Sequence, residues 1–123
     1  MKAKTILVID DTPDLQTSII QFLNMEGYET VGAANGQEAL DTLAHTIPDL
    51  VITDLLMPVM DGYTFIERIK ADAQLRDIPV VVFSAKPDEE SQDRALALGA
   101  VRFIRKPASI DQILDTVNEI IQP

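Results

Sequence analysis

The sequence predicts an α/β domain in which a parallel sheet is covered by helices on both faces. Three observations carry that prediction. Short apolar, β-branched runs recur along the chain, and those at Ile6–Ile9, Leu50–Ile52 and Pro79–Phe83 are continuous rather than alternating, as in strands buried on both faces. Segments with helical spacing lie between them. The order makes five consecutive strand-helix units of about two dozen residues each, with no repeat, linker or low-complexity tract.

Taken in order, Ile6-Leu7-Val8-Ile9 forms the first strand, and Pro13 suits the first turn of a helix carrying Leu15, Ile19, Ile20, Phe22 and Leu23. A turn at Gly27 precedes a weaker strand over Glu29–Ala33. Ala39, Leu40 and Leu43 mark the second helix, Leu50–Ile52 the third strand, and Phe65, Ile66 and Ile69 the third helix. Pro79–Phe83 is the fourth strand. The segment Asp88–Leu98 is apolar only at Ala95–Leu98, which predicts a lightly anchored, solvated helix with Asp88, Glu89 and Glu90 favourably placed at its N-terminus. Val101–Ile104 then forms the fifth strand, and Ile110, Ile113, Leu114, Val117, Ile120 and Ile121 the last helix. Parallel strands joined in this way imply right-handed crossovers.

With 123 residues, 46% apolar and 24% charged, the chain suits one compact domain over residues 1–123 and not a disordered segment. Cysteine is absent, so disulfides, thiolate metal sites and cysteine nucleophiles drop out. No run approaches the roughly 18 apolar residues of a membrane span, and a cytoplasmic protein without membrane contact is expected. The net charge of -10 is unevenly placed: Thr5 to Glu67 holds eleven acids and no Lys or Arg, whereas residues 68–123 hold eight cations against nine acids. A phosphate-backbone partner needs clustered cations, so direct nucleic-acid binding is not expected.

In a parallel sheet of this kind ligand chemistry belongs at the carboxyl ends of the strands. Asp10-Asp11 follows the first strand, Asp54 the third, Ser84-Ala85 the fourth and Lys106-Pro107 the fifth. Each is commonplace alone; their coincidence on one sheet edge is the signal. Carboxylates gathered there repel by roughly 4 kcal/mol for a pair about 4 Å apart at an effective dielectric near 20. A hard divalent cation with oxygen ligands offsets that repulsion, and Lys106 supplies a second positive charge. A carboxylate meeting a phosphoryl group in such a setting can act as nucleophile and become an aspartyl phosphate. Ala85 leaves room beside the acceptor by its smallness.

Ile9-Asp10-Asp11, Thr53-Asp54-Leu55-Leu56-Met57-Pro58-Val59-Met60-Asp61-Gly62, Ser84-Ala85 and Phe103-Ile104-Arg105-Lys106-Pro107 together resemble the receiver domain of two-component response regulators. The resemblance spans essentially the whole chain. It implies a doubly wound, flavodoxin-like (βα)5 fold with strand order 2-1-3-4-5. It implies that Asp54 is the phosphoacceptor, charged by a sensor histidine kinase or a histidine phosphotransfer protein. Mg²⁺, or Mn²⁺ in its place, would be held by Asp11 directly and Asp10 largely through water, with Asp54 and the backbone carbonyl of Leu56 completing the set. Lys106 would pair with Asp54 and then with the phosphoryl group, and Lys106-Pro107 would be a cis peptide. Ser84 and Phe103 would move together on phosphorylation, changing the surface of the fourth helix, fifth strand and fifth helix. That surface would address a downstream protein or a covalently linked output domain, or form a phosphorylation-dependent homodimer. Such a domain assists its own phosphorylation and dephosphorylation and is not otherwise an enzyme.

Several residues depart from the family's commoner pattern or invite other roles. Thr12 stands where many relatives carry another acid, and its position before Pro13 suggests a helix N-cap. Phe103 replaces the frequent Tyr, and its ring can bury without a hydroxyl needing a partner. Leu56 stands where some relatives place Asn or another polar group near the hydrolytic water, and Lys86 where others use an acid or amide, which predicts a long-lived phosphorylated form; the competing reading is that Leu56 merely packs against a neighbour. His45, the only histidine, reads as a solvated helix-end residue, and Met25, Met57 and Met60 as packing or loop residues. An aspartate-nucleophile phosphatase of the haloacid dehalogenase type would want an Asp at position 12, where Thr12 stands. Neither G-x-G-x-x-G nor G-x-x-x-x-G-K-[ST] follows the first strand, against a nucleotide-binding module. A receiver-like interaction module that takes no phosphate is the remaining alternative.

Overall fold

The computed structural model describes residues 3–85 and 89–122. Five strands and five helices alternate: β1 (Thr5–Ile9), α1 (Pro13–Met25), β2 (Glu29–Ala33), α2 (Gly36–Leu43), β3 (Leu50–Thr53), α3 (Gly62–Ala71), β4 (Val80–Ser84), α4 (Glu89–Leu98), β5 (Arg102–Arg105) and α5 (Ile110–Ile120). All pairings are parallel, and the sheet order is β2-β1-β3-β4-β5, as the resemblance implied.

Because side chains alternate along a strand, each central strand feeds two cores. Leu7, Ile9, Val51, Val80 and Val82 pack with Ala39 and Leu43 of α2, Phe65, Ile66 and Ile69 of α3, and Ala95 of α4. On the other face Ile6, Val8, Ile52, Val81 and Phe83 pack with Ile19 and Leu23 of α1 and Ile113 and Val117 of α5. Both faces of β1, β3 and β4 are therefore dry, which is why these runs are continuous in the sequence. Full burial of one such side chain, Phe65 for example, stabilises by about 2–3 kcal/mol.

The strand boundaries shift slightly from the expected ones. β3 runs on to Thr53, and β4 starts at Val80 because Pro79 has no N–H to give the ladder, although its carbonyl accepts from Val51 N at 3.0 Å. β5 is displaced by one residue to Arg102–Arg105, and its edge position leaves Arg102 and Arg105 exposed. Helix α4 buries only Ser91 and Ala95, in keeping with a lightly anchored helix; Asp88 and Lys86 lie outside the described residues.

Thr12 does occupy the N-cap position of α1, but its side chain makes no capping bond. The cause is local geometry. The capping residues Asn35, Asp61 and Ser109 have ψ of 155–175° and accept from Glu38, Thr64 and Gln112 respectively, whereas Thr12 has ψ 103° and its own N–H is turned to Asp10 Oδ1 at 2.9 Å. His45 is exposed just beyond α2, Met25 is exposed, and Met57 and Met60 pack into the core. No helix among the described residues is long and apolar enough to cross a membrane.

Candidate functional site

The loops that leave β1, β3, β4 and β5 bring the sequence-derived residues to one edge of the sheet. Parallel register sets this up: Ile9 pairs with Thr53 and Ser84 with Arg105, so Asp10, Asp54 and Lys106 each stand one residue past an aligned strand end. Asp10 and Asp54 are 3% and 7% exposed, unusual for carboxylates, and their partners explain why they tolerate it. Lys106 Nζ lies 2.8 Å from Asp10 Oδ2 and 2.9 Å from Asp54 Oδ2. Asp10 Oδ1 accepts from Thr12 N, and Asp54 Oδ1 accepts from Leu55 N at 2.6 Å and Leu56 N at 3.2 Å.

Asp11 is exposed and completes a group in which a carboxylate oxygen from each of Asp10, Asp11 and Asp54 lies within 4.8 Å of the others. Three hard oxygen donors with no nitrogen or sulfur among them suit Mg²⁺ or Mn²⁺. Burial pulls the Lys106 ammonium toward neutrality, but its hydrogen bonds to Asp10 and Asp54 and their charges outweigh that, so its pKa is raised above the ordinary lysine value. The ammonium also stands 5.2 Å from the centroid of the Phe83 ring.

Ser84 is wholly buried at the end of β4, and Ala85, exposed beyond it, lines a cavity of about 360 Å³ with Leu15, Phe83, Lys106, Pro107 and Ala108. Lys106-Pro107 is a cis peptide, and Lys106 N donates to Ser84 O at 2.9 Å. Phe103 is half-buried against the core that α2, α3 and α4 share. Leu56 is 54% exposed.

Three features of the site were not read from the sequence. Lys106 is shared by two carboxylates, where only Asp54 was expected, because Asp10 points its second oxygen at the same ammonium. The amides of Leu55 and Leu56 fix Asp54, a backbone effect that residue types do not advertise. Gly62, which the sequence shows only as part of a motif, begins α3 directly against the Asp54 loop: a Cβ there would strike the Asp54 carbonyl and stand 2.8 Å from Leu55 Cα. The Asp61-Gly62 pair was the available signal, since Gly serves wherever backbones approach closely.

Comparison with known proteins identifies the family and the fold. The model of the response regulator receiver domain family matches residues 6–118. The chain is 34% identical to the sporulation initiation phosphotransferase F of Bacillus subtilis, over 98% of this chain and 96% of that one. It is 32% identical to a phosphate regulon transcriptional regulatory protein of Pseudomonas aeruginosa, over 99% of this chain and 53% of that one. Its backbone is similar to that of a chemotaxis response regulator of Vibrio cholerae, with a TM-score of 0.92 at 27% identity, covering 98% of this chain and all of that one. The chain spans about half the length of several curated relatives it matches, and 12% of a sensor histidine kinase of Ectopseudomonas mendocina to which it is 34% identical.

Proposed function

The chain belongs to the response regulator receiver domain family, a signalling module of two-component phosphorelay systems, and from that premise we propose that Asp54 accepts a phosphoryl group from a phosphohistidine donor. The observation that carries this reading is the convergence of Asp10, Asp11 and Asp54 at one strand edge with Lys106 bonded to two of them. Asp11, Asp54 and the Leu56 carbonyl would hold Mg²⁺, with Asp10 acting largely through water, and Mn²⁺ would serve in its place. Bound there, the ion supplies positive charge to phosphoryl oxygens during transfer.

The chain's own groups do the rest. The amides on Asp54 Oδ1 hold the carboxylate in one orientation, with Oδ2 on the Lys106 side. An Asp54 oxygen forms the new P–O bond as the P–N bond to the donor imidazole breaks; the imidazole nitrogen keeps that electron pair and takes a proton from water. Lys106 then exchanges its Asp54 contact for a phosphoryl oxygen, and Ser84 donates a hydrogen bond to another. Phe103 follows inward, and the surface of α4, β5 and α5 changes with it. Such a switch shifts an existing equilibrium.

The donor would be a sensor histidine kinase or a histidine phosphotransfer protein, and the output a downstream protein or a linked domain. Relatives named as a phosphotransferase, a transcriptional regulator and a sensor kinase support both arrangements. Incubating the protein with Mg²⁺ and a small acyl phosphate, then weighing it intact, tests the reading. One added phosphoryl mass that is absent without Mg²⁺ and in Asp54→Ala supports it; no added mass favours an interaction module that takes no phosphate.

A further inference from the structure

Gln16, in the first turns of α1, is half-buried among groups that the phosphotransfer reading leaves unused. Its side-chain Nε2 donates to Ala33 O at 2.7 Å and to Val8 O at 3.2 Å. One amide nitrogen has two hydrogens, so both bonds form at once and bridge the adjacent strands β2 and β1. Ala33 O also accepts from Asp10 N at 3.1 Å, which uses the second lone pair of that carbonyl. Gln16 N in turn donates to Thr12 O at 3.0 Å. The bend Asp10-Asp11 is therefore bracketed: β1 is held just before it through Val8, the Asp10 amide shares its acceptor with Gln16, and the chain just after it is tied back through Thr12.

The room for this side chain is also specific. A Cβ at Gly32 would stand 3.2 Å from Gln16 Cδ and Nε2, closer than ordinary contact, so the absence of a side chain at Gly32 lets the amide lie across the strand pair. Gln16 makes no hydrogen bond to any of the three carboxylates. Its bonds go instead to the backbone that carries two of the three.

We propose that Gln16 is a positioning residue for the metal site: by bridging the Val8 and Ala33 carbonyls it holds the end of β1 so that Asp10 and Asp11 converge with Asp54 on a divalent cation. The inference rests on the metal reading given above and adds a residue to it. Removing the bridge leaves the ligands in place but lets the bend move, so affinity falls without the loss of a donor atom.

The test compares Gln16→Met and Gln16→Ala with Lys70→Met. Lys70 Nζ bonds the carbonyls of Arg76 and Ile78, both at 2.9 Å, at the far end of α3, so its loss is a comparable structural injury remote from the site. Mn²⁺ binding is read from the spin-resonance signal of the free ion, and amide hydrogen exchange is followed in metal-free protein. Both Gln16 variants are expected to weaken Mn²⁺ binding by about three- to tenfold, the size of one net hydrogen bond. They should also speed exchange at the Asp10 amide but not at Val51, whose N–H bonds Pro79 O. Lys70→Met should lose thermal stability yet bind Mn²⁺ as the wild type does. An unchanged dissociation constant in the Gln16 variants, or an equal loss in Lys70→Met, overturns this inference alone. Wild-type protein that takes up no Mn²⁺ overturns the metal reading beneath it.

Discussion

Lys106 and Asp54, 52 residues apart in sequence, are joined by a hydrogen-bonded ion pair of 2.9 Å, and the same ammonium holds Asp10 at 2.8 Å. Lys106 is 15% exposed at its side chain, so screening by solvent is limited. Lys106→Met is therefore expected to destabilise the metal-free protein by about 3 kcal/mol at neutral pH, as it strands two buried carboxylates; urea unfolding in the presence of a chelator measures it.

The pH dependence of that difference has a definite sign. Lys106 has a raised pKa in the folded protein, so below the ordinary lysine value of 10.5 it is charged in both folded and unfolded chains. Between that value and the raised one only the folded chain keeps the proton. The contribution from this shift should be level below 10.5, fall as the pH rises from there, and be gone above the raised value. Unfolding of wild type and Lys106→Met in a pH series up to that range checks it, and a decline well below pH 10.5 would contradict the assignment.

Gly62→Ala is expected to destabilise by about 2–3 kcal/mol, because the new methyl meets backbone at Asp54 and Leu55 and no flexible side chain can yield. Thermal unfolding reads the loss. Since Gly62 N also donates to Leu55 O at 3.0 Å, the shift should disturb the Asp54 loop and slow phosphorylation by acyl phosphate.

Val59 has φ of +70° at the centre of a turn in which Met60 N donates to Pro58 O at 2.7 Å. A β-branched residue is strained there, and its side chain, 81% exposed, recovers little by burial. Val59→Asn should stabilise by about 1 kcal/mol in chemical denaturation.

The order of elements was legible because burial on both faces of β1, β3 and β4 leaves unbroken apolar runs, and the site was legible because parallel register turns four separate motifs into one edge. The caps at Asn35, Asp61 and Ser109, by contrast, depend on ψ at single residues, which composition does not set. Thr12 shows the reverse error, a good capping residue at the right position whose backbone turns the other way. Gln16 stayed unread for a related reason: its partners are carbonyls of two strands that only folding brings beside it.

Leu56 presents no acid or amide two residues past Asp54, and its side chain is half-exposed. Leu56→Asn should shorten the life of the phosphorylated protein several-fold by orienting the hydrolytic water. Decay of the intact phosphorylated mass after removal of the phosphodonor measures this, and equal rates would sink the idea. Lys86, the other position in that expectation, lies outside the described residues.

The account stands or falls on where the phosphoryl group goes. Borohydride reduces an acyl phosphate to an alcohol, so protein treated with Mg²⁺ and acyl phosphate, reduced and cut into peptides, should carry homoserine at position 54 and nowhere else. Homoserine at another acid, or a phosphoryl group that survives on a hydroxyl or imidazole while Asp54 is recovered unchanged, would contradict it.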